Sequence, residues 1–134
     1  MNLKACFLTI VTTTDGVSST VNKNGELELS NSVSWVRYCD ENALVSVVFE
    51  ENTARLLREG DYALDIPLKE NAKTVGKLGF GENVGKIDVY CNKLSYAVKG
   101  GSMLASIHYT LDFGNEKQEM QIRITAREKK AEEK

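Results

Sequence analysis

The chain has 134 residues, 42% of them hydrophobic, with 17 Lys and Arg against 19 Asp and Glu and a net charge of −2. That length suits one domain with a real core, and the charge balance excludes a globally basic nucleic-acid binder. One proline and ten glycines exclude a collagen-like or Pro/Gly-linker chain, and no apolar run reaches the ~20 residues of a membrane helix, so no membrane partner is expected.

The N-terminus, Met1-Asn2-Leu3-Lys4-Ala5-Cys6-Phe7, has no basic stretch leading into a long apolar one, and threonines interrupt it by Thr12. No secretory leader is expected from that pattern. Cys6, Cys39 and Cys91 are far apart, odd in number and form no CxxC pair, which points to small buried thiols in a reduced, cytoplasmic protein. Turn signals come at Asp15-Gly16 and Asn24-Gly25. Val33, Trp35, Arg37 and Cys39 then alternate in one strand, and Val45, Val47 and Phe49 in the next, over 43–50. Turns are expected at 40–42, 50–52 and 59–60. After them Tyr62, Leu64, Ile66 and Leu68 share a face, and Pro67, which cannot donate a ladder bond, belongs at a strand end or edge.

Ile87, Val89 and Cys91 are apolar at odd positions, whereas Leu94, Tyr96 and Val98 are apolar at even ones. The phase flips across Asn92-Lys93, as a β-bulge in one long strand over about 85–99 would make it do. Gly100-Gly101 turns the chain. Met103, Ala105, Ile107, Tyr109, Leu111 and Phe113 then line one face, Gly114-Asn115 suits a type II′ hairpin, and Met120, Ile122, Ile124 and Ala126 face inward on the return. Period-two alternation dominates and helical periodicity is nearly missing. The expectation is an all-β, antiparallel domain over 1–127 with about eight to ten strands and a C-terminal meander, followed by a charged solvated tail at 128–134. Strands and turns at such short spacing make a sandwich or a barrel, and the bent strand favours closure into a barrel.

Little in the chain suggests catalysis. His108 lies on a polar strand face, with Asp112 and Ser106 beside it only by alternation, and a triad needs more than that. One histidine and scattered cysteines build no zinc site. The glycines of 79–85 do not match a dinucleotide or P-loop fingerprint and read as a strand connection. Asp61/Asp65 and Glu50/Glu51 read as solvated neighbours rather than a glycosidase pair. No enzyme activity, metal or cofactor is expected. Lys69, Lys73, Lys77, Lys86, Lys93 and Lys99 form a stripe near Phe80, Tyr90 and Tyr96. Such a stripe can track a single-stranded nucleic acid, but it more simply guards a sheet edge against aggregation. Arg37 shares its phase with Trp35, so it points inward if Trp35 does, and a buried arginine must be paired or must meet an anion.

The stretch from Trp35 to Ala126 carries Val36-Arg37-Tyr38, then Arg55-Leu56-Leu57-Arg58-Glu59-Gly60, then Leu64-Asp65-Ile66-Pro67-Leu68 and the closing run Leu104-Ala105-Ser106-Ile107-His108-Tyr109-Thr110-Leu111. In these it resembles the YwiB-like family of bacterial lipocalin-type (calycin) β-barrels. The resemblance implies a lipocalin-like barrel in a cytoplasmic bacterial protein, with no catalytic residues to carry over.

Small closed barrels either fill with side chains or hold one ligand. The functional expectation is therefore an interior that binds a small apolar or anionic molecule, with Trp35, Arg37, Tyr62, Tyr96 and Tyr109 as the candidate contacts. The alternative is a protein-interaction module that uses an exposed sheet edge or rim. Single-stranded nucleic-acid binding ranks last.

Overall fold

In the computed structural model, which describes residues 3–30 and 32–130, the regular elements are ten strands. They are β1 (Lys4–Thr14), β2 (Val17–Glu28), β3 (Val33–Asp40), β4 (Ala43–Glu50), β5 (Thr53–Glu59), β6 (Ala63–Lys69), β7 (Ala72–Phe80), β8 (Asn83–Lys99), β9 (Ser102–Asp112) and β10 (Lys117–Glu128). Each pairs antiparallel with its chain neighbours, and β10 pairs with β1 to close the barrel. The expected all-β barrel and its C-terminal meander are what the chain forms. We call the end bearing the turns 15–16, 41–42, 60–62, 81–82 and 113–116 the upper end.

One phase of each strand fills the interior. Leu8, Leu27, Val36, Phe49, Leu68, Met103, Ile107 and Ala126 are each at most 1% exposed and form one continuous core. The long β8 pairs with β9 across a register shift between Cys91 and Lys93. Ile87, Val89 and Cys91 are buried before the shift and Leu94 after it, so the bulge lets one bent strand keep its apolar side inward through the corner.

Two seams are thin. β2 meets β3 over only Gly25–Glu28, and β6 meets β7 over only Ala63–Asp65. Pro67 sits on β6 beyond that second ladder, where its missing N–H costs no bond to β7, and its carbonyl accepts a bond from the Thr74 hydroxyl. Asp15 (φ 47°) and Gly16 (φ 84°) make the expected tight turn between β1 and β2.

Several expectations need correction. Asn24-Gly25 is not a turn: both residues lie inside β2, and Gly25 serves a close approach of strands. Phe113 leaves β9 and is exposed, because the chain turns there through a four-residue loop in which the Phe113 N–H donates to the Glu116 carbonyl. The tail begins later than 128, since Glu128 ends β10 and the Lys129 N–H bonds the Ala5 carbonyl; residues 131–134 lie outside the described residues. Cys6 and Cys91 are buried as expected, but Cys39 is exposed near the end of β3. Burial pushes the Cys6 thiol up to about 11, against a smaller lowering by its bond with the Gly25 backbone.

Trp35 and Arg37 stand on the outer face. Ser34 and Val36 are fully buried on the opposite phase of β3, and Tyr38 follows them inward against the core. Outside, the Trp35 indole N–H donates to Glu28 Oε2 at 3.0 Å, and Arg37 Nη2 donates to Glu26 Oε1 at 2.7 Å. The Arg37 guanidinium lies 5.4 Å from the Trp35 ring centroid. The acids facing these two residues across the β2–β3 ladder are Glu28 and Glu26, so β2 offers them partners on the wet side.

Candidate functional site

Leu8, Leu27, Phe49, Leu68 and Met103 are buried in the lower half of the barrel, and the upper half is less completely filled. A cavity of about 140 Å³ lies inside it, walled mainly by Ile10, Val45, Val47, Leu56, Leu64, Ile66, Ile122 and Ile124. Four polar residues also line it: Thr12 from β1, Tyr38 from β3, Arg58 from β5 and Tyr109 from β9. Each is there because its strand holds phase. Tyr38 follows Ser34 and Val36, Arg58 follows Ala54 and Leu56, and Tyr109 follows Ala105 and Ile107.

Tyr109 is only 4% exposed, and its hydroxyl meets no hydrogen-bond partner among the described residues. No sealed side-chain nitrogen or oxygen among them lacks a partner, so this hydroxyl opens onto the cavity rather than into packed core. Burial, with a smaller contribution from Cys91, raises its pKa well above the usual phenol range. Burial also raises Tyr38, with Asp40 adding to the effect. Both phenols therefore stay protonated and can donate.

Arg58 closes the upper end of the site. Its side chain is 18% exposed. Nη1 donates to the Tyr62 carbonyl at 2.6 Å and Nη2 to Asp61 Oδ1 at 2.9 Å. The Tyr62 ring lies 3.6 Å from the guanidinium carbon and packs on Phe80, with 5.7 Å between ring centroids. Asp61 is 81% exposed, and its hydrogen bond from Arg58 lowers its carboxyl pKa.

Of the residues expected to line the interior, Tyr109 does so and Tyr62 sits at the rim over Arg58. Tyr96 points inward but lies lower, packed against Phe49 with ring centroids 5.2 Å apart and the planes tilted by 35°. Trp35 and Arg37 take no part in the cavity, being paired outside. The sequence reading missed Thr12, Tyr38 and Arg58. Their signal was phase alone, and on β5 it was hidden because an arginine at an inward position looks like an outward one.

The other candidates separate. All six lysines of the stripe are exposed, with Phe80 and Tyr90 exposed beside them, while Tyr96 faces inward. Asp65 pairs with Arg55, whose hydrogen bond lowers the Asp65 pKa, and so does not act with Asp61. A wider groove of about 560 Å³ crosses the outer face past Lys73, Tyr90 and Lys117. It sets Asp88 directly opposite Asp112 and lies on the outer face, not among the inward side chains of the core.

No family model matches the chain, and no curated protein matches it in sequence. Among solved structures, the crystal structure of the ywiB protein from Bacillus subtilis superposes with a TM-score of 0.81. The match covers 96% of this chain and 94% of that one at 14% identity. The fold is that of YwiB. At such low identity the YwiB likeness fixes the path of the ten strands and leaves the chemistry of the cavity to this chain's own side chains.

Proposed function

We propose that this barrel is a cytoplasmic, lipocalin-like binding protein, not an enzyme, that holds one small and largely apolar molecule in its upper half. The observation that carries this reading is the interior cavity, whose lining includes Tyr109 with a hydroxyl that meets no partner among the described residues. Tyr109 thereby offers a polar tip to an otherwise apolar wall, the combination that orients a small ligand in a pocket. The cavity volume of about 140 Å³ is close to that of the ~150 Å³ engineered cavity that takes up benzene. Three free cysteines, two of them buried, suit a reducing compartment.

The test is a titration with toluene followed by methyl NMR. Saturable shifts are expected at Ile66, Ile122 and Ile124, and they should vanish in Val45→Phe, which fills the cavity. Native mass spectrometry of freshly purified protein should show a co-purifying small mass. An empty protein whose interior methyls ignore toluene would end the reading.

One observation supports a second reading, as an interaction module. β1 pairs with all of β2, but β3 covers only Gly25–Glu28. Among the described residues the other edge of Val17–Asn22 has no strand beside it, and the segment carries no charge. A long uncharged edge is a template for another strand. Antiparallel pairing of two copies about Ser19 would set Val17 of one opposite Val21 of the other, twice by symmetry, so a second copy of this chain is the fitting occupant. Sedimentation at rising concentration should show a dimer that Val21→Lys abolishes. A wild-type monomer at every concentration removes this reading.

A further inference from the structure

We infer that the occupant of the cavity is a monocarboxylate with a compact aromatic or branched apolar body, its carboxylate held by Arg58. This rests on the interior-binding reading above and adds the ligand's class.

The charge around the cavity decides the class. Among the described residues no aspartate or glutamate lines it, and Arg58 is the one ionised residue that does. Thr12, Tyr38 and Tyr109 add hydroxyls, and the two phenols are kept neutral by burial. An ammonium group would find a guanidinium and no carboxylate, which excludes amines and free amino acids. A phosphate dianion would bring two charges into a wall of Ile, Val and Leu with one guanidinium to meet them, which burial penalises heavily. A single carboxylate balances the site, and the volume of about 140 Å³ admits a body no larger than roughly one benzene ring.

Arg58 has capacity to spare. A guanidinium offers five N–H donors, and the structure uses one on Tyr62 and one on Asp61. The Asp61 contact is with a carboxylate 81% exposed, and exposed ion pairs of this kind are weak. Asp61 therefore acts as a surrogate anion: in the empty protein it occupies the guanidinium, and a ligand carboxylate displaces it into water at small cost. The bond to the Tyr62 carbonyl and the stacked Tyr62 ring keep the guanidinium aimed while the anions exchange. An incoming carboxylate can then be met in the bidentate geometry that guanidinium groups favour.

The experiment compares benzoate, benzamide and toluene on the intact protein by calorimetry and methyl NMR. Benzoate should bind about tenfold more tightly than benzamide, as a charge-assisted hydrogen bond exceeds a neutral one, and added salt should narrow the gap. Arg58→Met should erase the preference while toluene still binds. Asp61→Asn should tighten benzoate several-fold by removing the competitor, and it keeps the test open should Arg58→Met fold poorly. Benzamide binding as well as benzoate, or Asp61→Asn leaving benzoate unchanged, overturns the carboxylate inference and leaves interior binding standing. Failure of toluene and benzoate alike overturns the interior reading, and this inference with it.

Discussion

Replacing Gly25 with valine is expected to prevent the barrel from closing. A Cβ at this position would lie 2.4 Å from the Arg37 carbonyl oxygen, 2.7 Å from Leu8 Cδ1 and 3.3 Å from Tyr38 Cβ. The first of these is backbone and cannot rotate away. Gly25 pairs with Cys6 on β1 and with Tyr38 on β3, so the side chain would press on both neighbouring strands at once. The β3 ladder runs only over Gly25–Glu28, and a displaced Gly25 takes one end of it away. The barrel would part between β2 and β3 and wet Leu8, Leu27 and Val36, all buried. The cost should exceed the roughly 1–3 kcal/mol of ordinary overpacking, against a total stability of about 5–15 kcal/mol. Urea unfolding followed by circular dichroism should show little or no folded baseline. Gly16→Ala is the control, because nothing lies within 4 Å of a Cβ there and only the φ of 84° opposes the change. A Gly25→Val protein within about 1 kcal/mol of wild type would show that the β2–β3 seam gives way without loss.

Gly25 also shows where the sequence is ambiguous. Asn-Gly is the common signature of a tight hairpin, yet glycine is equally what a strand needs where another backbone comes close. Both uses are written with the same letters, and only the neighbouring strand distinguishes them. The strands β9 and β10 are legible for the opposite reason: their inward residues are apolar throughout, their outward ones mostly polar, and alternation alone gives the face. The β8 bulge is legible because the phase flip at Asn92-Lys93 leaves a mark in the pattern itself. On β3 both phases carry large apolar bodies, Trp35 on one and Val36 and Tyr38 on the other. Alternation then cannot choose, and the choice falls to Glu26 and Glu28 on β2, which give Arg37 and Trp35 partners on the outside.

The candidate site divides in the same way. Tyr109 could be placed inside from the pattern of β9, and Tyr62 could be placed near it on the phase of β6. Arg58 could not, because only the register of β5 between β4 and β6 turns it into the upper mouth of the barrel. The cavity itself is written in no segment. It is the space left where side chains from β1, β3, β4, β5, β6, β9 and β10 fall short of the axis, and it depends on the lower half being filled.

That filling can be measured at Phe49. Its side chain is fully buried and is the largest of those with under 2% exposure. It packs against Tyr96, with ring centroids 5.2 Å apart, from the strand that delivers Val45 and Val47 to the cavity wall. Phe49→Ala removes the ring's burial and leaves a void that strands locked into a closed barrel cannot collapse around. The expected loss is about 3–5 kcal/mol, read as a lower urea midpoint with an unchanged slope. Phe49→Leu should lose less, because it keeps part of the volume. The void would lie below the cavity, so Phe49→Ala should also loosen the floor on which a bound molecule rests, weakening toluene binding in whatever fraction stays folded. A loss under about 1 kcal/mol would mean that the lower half repacks freely, and the upper cavity would then have no fixed floor to shape it.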